Sequence, residues 1–194
     1  QRINLSPFDQ YAIQDLIWRR AAASQIPLDD ETVIQIATAV AYLSGGHPKV
    51  ICGLVDDLAE QLFAIGPPEA YFNRNRERLV QCYLAPVADE LEQSIAAPIR
   101  GAVKALSVFR RVSGNTVEAL VDAEILPPET DTVDLLRDLI EAQLLKAQSV
   151  REPFYRDHLI RRVLSLDAAH RSAESHAHYA QLNALARDLY ALWI

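Results

Sequence analysis

Gly45, Gly46, His47, Pro48 and Lys49, inside the stretch AYLSGGHPKV, are where residue type and spacing first point to chemistry. A bend between two helices needs a single glycine in a left-handed cap. This stretch adds a second glycine, an imidazole and a proline at the first position of the next helix, so that the next helix turns its leading amides outward. Such a terminus carries partial positive charge and spare donors, which suits a phosphate or another anion. A capped corner with no ligand uses the same residues, and spacing alone leaves both readings open.

The other reactive side chains form no comparable pattern. No GxxxxGK followed by Ser or Thr occurs, so no loop cradles phosphates with a lysine, and GxSxG, HExxH and GxGxxG are absent as well. No enzyme activity is therefore expected of this chain by itself. His176 and His178 stand two apart on a predicted helix, positions that do not share a face, and His170 lies six residues before His176. They are expected as solvated helix residues, with no metal site. Cys52 and Cys82 are thirty positions apart without a CxxC, which predicts reduced core thiols rather than a disulfide or a zinc site.

Composition narrows the class further. Of 194 residues, 50% are apolar, enough for a sizeable core. The start QRINLSPF has no apolar run, and no stretch of about 18 apolar residues is present to span a bilayer, so a soluble, cytoplasmic protein is expected. The absence of any Met predicts a segment of a longer protein. The net charge of −7 is uneven: residues 1–96 carry seven Lys/Arg against thirteen Asp/Glu, and residues 97–194 carry twelve against thirteen. An acidic first half repels phosphate backbones, which argues against nucleic acid as a partner.

Helical periodicity dominates the chain and predicts a mainly α fold. Ser6-Pro7 ahead of Phe8, Ala12, Ile13, Leu16 and Ile17 predicts a first helix, with the proline at its first position. A second runs from LDDET through Val33, Ile36, Ala37 and Val40 to a left-handed cap at Gly45 or Gly46. A third starts at Pro48 and carries Ile51, Leu54, Val55, Leu58 and Leu62 to a break at IGPPEA. Residues 1–66 thus read as a small helical bundle, and 67–97 as a helical connector divided by Pro86. From Pro98 to about 168 the order changes: helices in IRGAVKALSVFRR, SGNTVEALVDA and TVDLLRDLIEA are followed by two short strands at Leu144–Gln148 and Pro153–Tyr155. Three helices and a two-stranded ribbon are the order of a winged helix. Helical spacing returns in DHLIRRVLSL and again over 169–194, where Leu182, Leu185, Ala186, Leu189 and Trp193 share a face.

Taken together, SPFDQYAIQDLI, AVAYLSGGHPKVICGLVDDL and LLKAQSVREPFYRDHLIRRVL resemble the second half of a STAND-type NTPase module, the signal transduction ATPases with numerous domains. The resemblance covers essentially the whole chain. It implies a helical lid followed by a winged helix with a short wing and trailing helices, which close over ADP held by an upstream P-loop domain and swing apart on exchange for ATP. The family's GxP motif matches Gly46-His47-Pro48, whose proline is then expected against the adenine base, with Lys49 beside it in place of the usual aliphatic residue. A histidine-containing motif that touches the ADP phosphate has its counterpart in Arg156-Asp157-His158, with histidine and acid in an order that departs from the family pattern. Asp157 as a helix N-cap is the plainer account of the same residues. ADP or ATP is implied only together with the upstream domain, and none for the isolated chain. Helical repeats or an effector protein are implied downstream.

Two other functions fit parts of the pattern. A winged-helix DNA-binding module would read duplex DNA with TVDLLRDLIEAQ, a helix holding Asp131, Asp134, Asp138 and Glu141 against Arg137. That charge set is a poor match for a phosphate-lined groove. A helical scaffold would bind protein through the apolar residues of LNALARDLYALWI.

Overall fold

The computed structural model describes the backbone of residues 8–65, 68–147, 153–155 and 158–191, and the side chains of these except 60–69, 147, 153–155, 158 and 159. The described chain is mainly helical and divides between Val87 and Ala88 into two units. Among the described residues no helix is long and apolar enough to cross a membrane.

The first unit holds α1 (Gln10–Ala23), α2 (Asp30–Ser44), α3 (Pro48–Ile65), α4 (Pro68–Leu79) and a π-helical turn (Val80–Leu84) that leads into α5 (Ala85–Ser94). α1 starts at Gln10 because the Asp9 carboxylate accepts from the Ala12 N–H at 2.8 Å. That start differs from the expected Ser6-Pro7, two residues that lie outside the described set. Ile13, Ile17 and Ala21 form its buried stripe, and Ala12, expected in that stripe, is exposed. On α2, Asp29 caps the helix and Val33, Ile36, Ala37 and Val40 face the core as their spacing predicts. Ile51, Leu54, Val55 and Leu58 do the same for α3. α4, inside the stretch expected as a connector, buries Tyr71 and Phe72 and packs on α2 and α3.

Pro86 does not divide this stretch. An α-helical proline clashes with the carbonyl four residues earlier and leaves it without a donor. Here the turn before it widens, with the Ala85 N–H donating to the Val80 carbonyl five residues back, and the helix continues through Pro86 into α5. The cysteines also depart from expectation: Cys52 and Cys82 are free thiols as predicted but exposed rather than in the core.

The second unit comprises most of α5, then α6 (Ala97–Leu106), α7 (Gly114–Asp122), α8 (Thr132–Glu141), β1 (Leu145–Ala147), β2 (Pro153–Tyr155), α9 (His158–His170) and α10 (Ala173–Ala191). β1 and β2 pair antiparallel, with Leu145 opposite Tyr155. α6 stops at Leu106, short of the predicted FRR, and the turn after it buries Ser107 and Phe109. α7 opens on a capping box in which Ser113 and Thr116 satisfy each other's backbone N–H groups. Val103, Leu106, Val117, Leu120, Leu139 and Val163 lie at the centre of this unit. On α10, Leu182 and Ala186 are buried and Leu185 and Leu189 half-buried, while Trp193 lies outside the described residues.

Three helices end in the same way without glycine. Gln25 after α1, Glu124 after α7 and Gln143 after α8 have φ of 57°, 57° and 61°. In each case the next residue, Ile26, Ile125 or Leu144, donates its N–H to a carbonyl five residues back, the long bond of a Schellman cap. A side chain in the left-handed region costs about 1 kcal/mol. Glu124→Gly and Gln143→Gly are therefore each expected to raise stability, by about 0.5 kcal/mol once the extra freedom of glycine in the unfolded chain is subtracted. Urea unfolding midpoints check this.

Candidate functional site

The α2–α3 corner is built by backbone geometry. α2 ends on Gly45 at φ 62°, and Gly46 follows at φ 88°, a pair of left-handed residues that other side chains rarely tolerate. Buried Ser44 turns its Oγ onto the Gly46 N–H at 3.1 Å, and its carbonyl accepts from the His47 N–H at 3.1 Å. The Gly46 carbonyl accepts from Phe8, and the His47 carbonyl accepts from Ile51 at 2.9 Å in the first turn of α3. The result is a fixed turn: Gly45 and Gly46 are buried, His47 and Pro48 half-buried, and Lys49 exposed. Gly46, His47, Pro48 and Lys49 therefore form one corner, with Pro48 as the first residue of α3. Asp157 lies outside the described residues. His158 opens α9 in the second unit, its side chain outside the described set.

A charged cluster that spacing did not single out lies deeper in the first unit. Asp57 projects from α3 with a side chain only 7% exposed. Tyr71 and Arg78 reach it from α4, and Tyr83 from the π-helical turn. The Tyr71 hydroxyl donates at 2.6 Å, the Tyr83 hydroxyl at 3.0 Å, and the Arg78 guanidinium takes both oxygens at 3.1 and 2.9 Å. Arg78 also donates to the Tyr71 oxygen at 2.6 Å. Burial pushes the Asp57 carboxyl up, but the bonds from Arg78, Tyr71 and Tyr83 outweigh it and hold the group below the ordinary carboxylate range. A carboxylate so engaged is an ionised strut, not a proton acceptor for a reaction.

The tyrosines pay the reciprocal penalty. Burial first, and then the bond to Asp57, push both Tyr71 and Tyr83 up to about 12. Because their folded values are raised, the stability they contribute is complete below the ordinary tyrosine range near 10 and is lost as pH climbs from about 10 to 12. Tyrosinate absorbance is expected to show a late component near pH 12 that is present in wild type and lost in Tyr71→Phe/Tyr83→Phe.

The sequence does carry a trace of this cluster. Asp57 stands three residues after Leu54 and next to Leu58, so an acid interrupts the apolar face of α3. Its partners come from a helix and a turn whose docking no local spacing encodes.

The second unit has a buried acid of opposite character. Asp167 on α9 is 1% exposed at its side chain and accepts from Arg171 Nε with both oxygens at 2.9 Å, while Arg171 reaches Asp89 at 2.7 Å. Burial dominates here and raises the Asp167 pKa against the pull of Arg171. Nearby His176 is not simply solvated: its Nδ1 lies 2.9 Å from the Ala169 carbonyl near the end of α9. Among the described residues no group of three His, Cys, Asp or Glu side chains is placed to hold a metal ion.

Of these places, the corner leaves His47 and Pro48 half-buried and Lys49 exposed, and the two acid clusters tie helices together. The chain matches no protein-family model, no curated protein and no solved structure.

Proposed function

We propose that the chain is the movable half of a nucleotide-dependent signalling switch of the STAND type, a helical lid followed by a winged helix that close over ADP bound to a P-loop domain carried by preceding sequence. The α2–α3 corner carries this reading. Its two left-handed glycines and four local hydrogen bonds hold His47 and Pro48 half-exposed at the start of a helix, a rigid apolar edge that suits the face of a base. The order of α6, α7, α8 and the β1–β2 ribbon supports the winged-helix part. On this reading the chain has no catalytic residues of its own. Gly46, His47, Pro48 and Lys49 meet the nucleotide, and Asp157 and His158 approach its phosphates when the units close. The nucleotide domain is the first partner, and helical repeats or an effector protein are the next.

Reading of duplex DNA by α8 is less well supported, because Arg137 on that helix is paired with Asp134 at 2.6 Å and its neighbours are acidic. The test is ADP affinity in the protein carrying its natural preceding sequence. Pro48→Ala is expected to weaken ADP about tenfold through lost contact with the base. Unchanged affinity, or preceding sequence without a GxxxxGK loop, overturns the reading.

A further inference from the structure

We propose that the groove between α2 and α4 is a binding site for a small amphiphilic anion, an apolar body ending in a carboxylate or sulfonate. The inference is independent of the nucleotide reading. α2 has two apolar lines. Val33, Ile36, Ala37 and Val40 face the core, whereas Ile34 and Tyr42, two turns apart, remain 48% and 51% exposed. Phe72 on α4 closes the far wall, and with Ala39 between them these side chains border a cavity of about 430 Å³. That volume falls within the range of about 300–1,000 Å³ typical of small-molecule sites, as does a mainly apolar wall with a few polar groups.

The polar end selects the class. Arg76, one turn beyond Phe72, is the charged residue in the described lining, and one of its N–H groups donates to Asn73 Oδ1 at 2.8 Å, which orients the guanidinium at the rim. Glu31, an acid on the adjoining first turn of α2, accepts from Gln35 at 3.4 Å instead. Residues 1–96 carry seven Lys/Arg against thirteen Asp/Glu, yet the charged residue that lines this cavity is a cation. It rewards a ligand that buries an apolar body and brings its own negative charge, and it rejects cationic amphiphiles.

The experiment uses the whole chain and two fluorescent probes of one shape, 1-anilinonaphthalene-8-sulfonate and its uncharged parent N-phenyl-1-naphthylamine. Wild type is expected to bind the sulfonate at one saturable site. Arg76→Gln, a change on a half-exposed position, is expected to weaken the sulfonate about tenfold and leave the uncharged probe within about twofold. Ala39→Phe, which fills the cavity, is expected to abolish both while the far-ultraviolet spectrum stays helical. If Ala39→Phe unfolds the chain, Tyr42→Ala replaces it and is expected to weaken both probes alike. No saturable site, sulfonate affinity indifferent to Arg76→Gln, or probe binding indifferent to filling or opening the cavity overturns the proposal. Concentration-dependent self-association that blocks the probes also overturns it, since a second copy then covers the groove.

Discussion

Asp57→Ala is expected to lower the stability of the first unit by about 3 kcal/mol, the usual scale for removing one partner of a buried charge cluster. The size follows from what is left behind. Arg78 loses a two-oxygen partner, and the Tyr71 and Tyr83 hydroxyls lose the acceptor that justified burying them. Arg78 is 41% exposed and recovers part of its loss in water, which keeps the destabilisation in the lower half of that scale. Asp57→Asn retains shape and one acceptor oxygen, so it is expected to cost less than alanine. Acid provides a second check. Burial works against the Asp57 charge, but the three donors prevail and its folded pKa lies below the ordinary one, so its contribution is complete above about pH 4 and is lost as pH falls through the folded value. The stability gap between wild type and Asp57→Asn, from urea unfolding at a series of pH values, is expected to narrow below about pH 4. A gap unchanged down to pH 2 would show that the charge plays no part.

The two buried acids show why such clusters resist a reading from sequence. Asp57 and Asp167 look alike in the chain, each an acid followed by apolar neighbours on a helical stripe. One is held ionised by three donors from two other elements, and the other is raised by burial that a single arginine just past the end of its own helix only partly offsets. The difference lies wholly in tertiary contacts. Arg171 at i+4 from Asp167 is a local signal that periodicity supports. Arg78, twenty-one positions from Asp57, is not.

Where local chemistry decides structure, the sequence was legible. Gly45 ends α2 in the left-handed region, Pro48 opens α3, and Ser113 caps α7, each at the position its side chain or missing side chain dictates. The stripes of α2 and α3 were readable for the same reason. Legibility failed where one local rule overrode another or where packing chose. Asp9 outcompeted Ser6-Pro7 as a helix start, the π-helical turn absorbed a proline that normally ends a helix, and Gln25, Glu124 and Gln143 closed helices without the glycine that marks such ends. Of the candidate site, the corner was readable from Gly46, His47 and Pro48, while the α2–α4 groove was not, because Ile34 and Tyr42 join Phe72 and Arg76 only after the helices dock.

Gly53→Ala is expected to destabilise the chain by about 2 kcal/mol, although it exchanges a poor helix former for the best one. In an exposed helix that exchange gains about 1 kcal/mol. At position 53 of α3 an added methyl carbon would overlap Tyr83 Cδ1 and stand 3.3 Å from Cγ, against the root of the ring rather than a flexible tip. The ring cannot swing clear without giving up its 3.0 Å bond to Asp57, and the π-helical turn that carries it cannot shift without disturbing Pro86. Overpacking of this kind costs about 1–3 kcal/mol, and the lost bond to a charged group adds to it, so the steric term exceeds the helix-propensity gain. A double-mutant cycle separates the causes. With Tyr83→Ala already in place the ring is gone, and Gly53→Ala is then expected to become neutral or stabilising by the propensity gain alone. Should Gly53→Ala prove equally harmful in both backgrounds, the close approach of Tyr83 to α3 is not what selects glycine there, and the tie between the π-helical turn and the Asp57 cluster loses its structural basis.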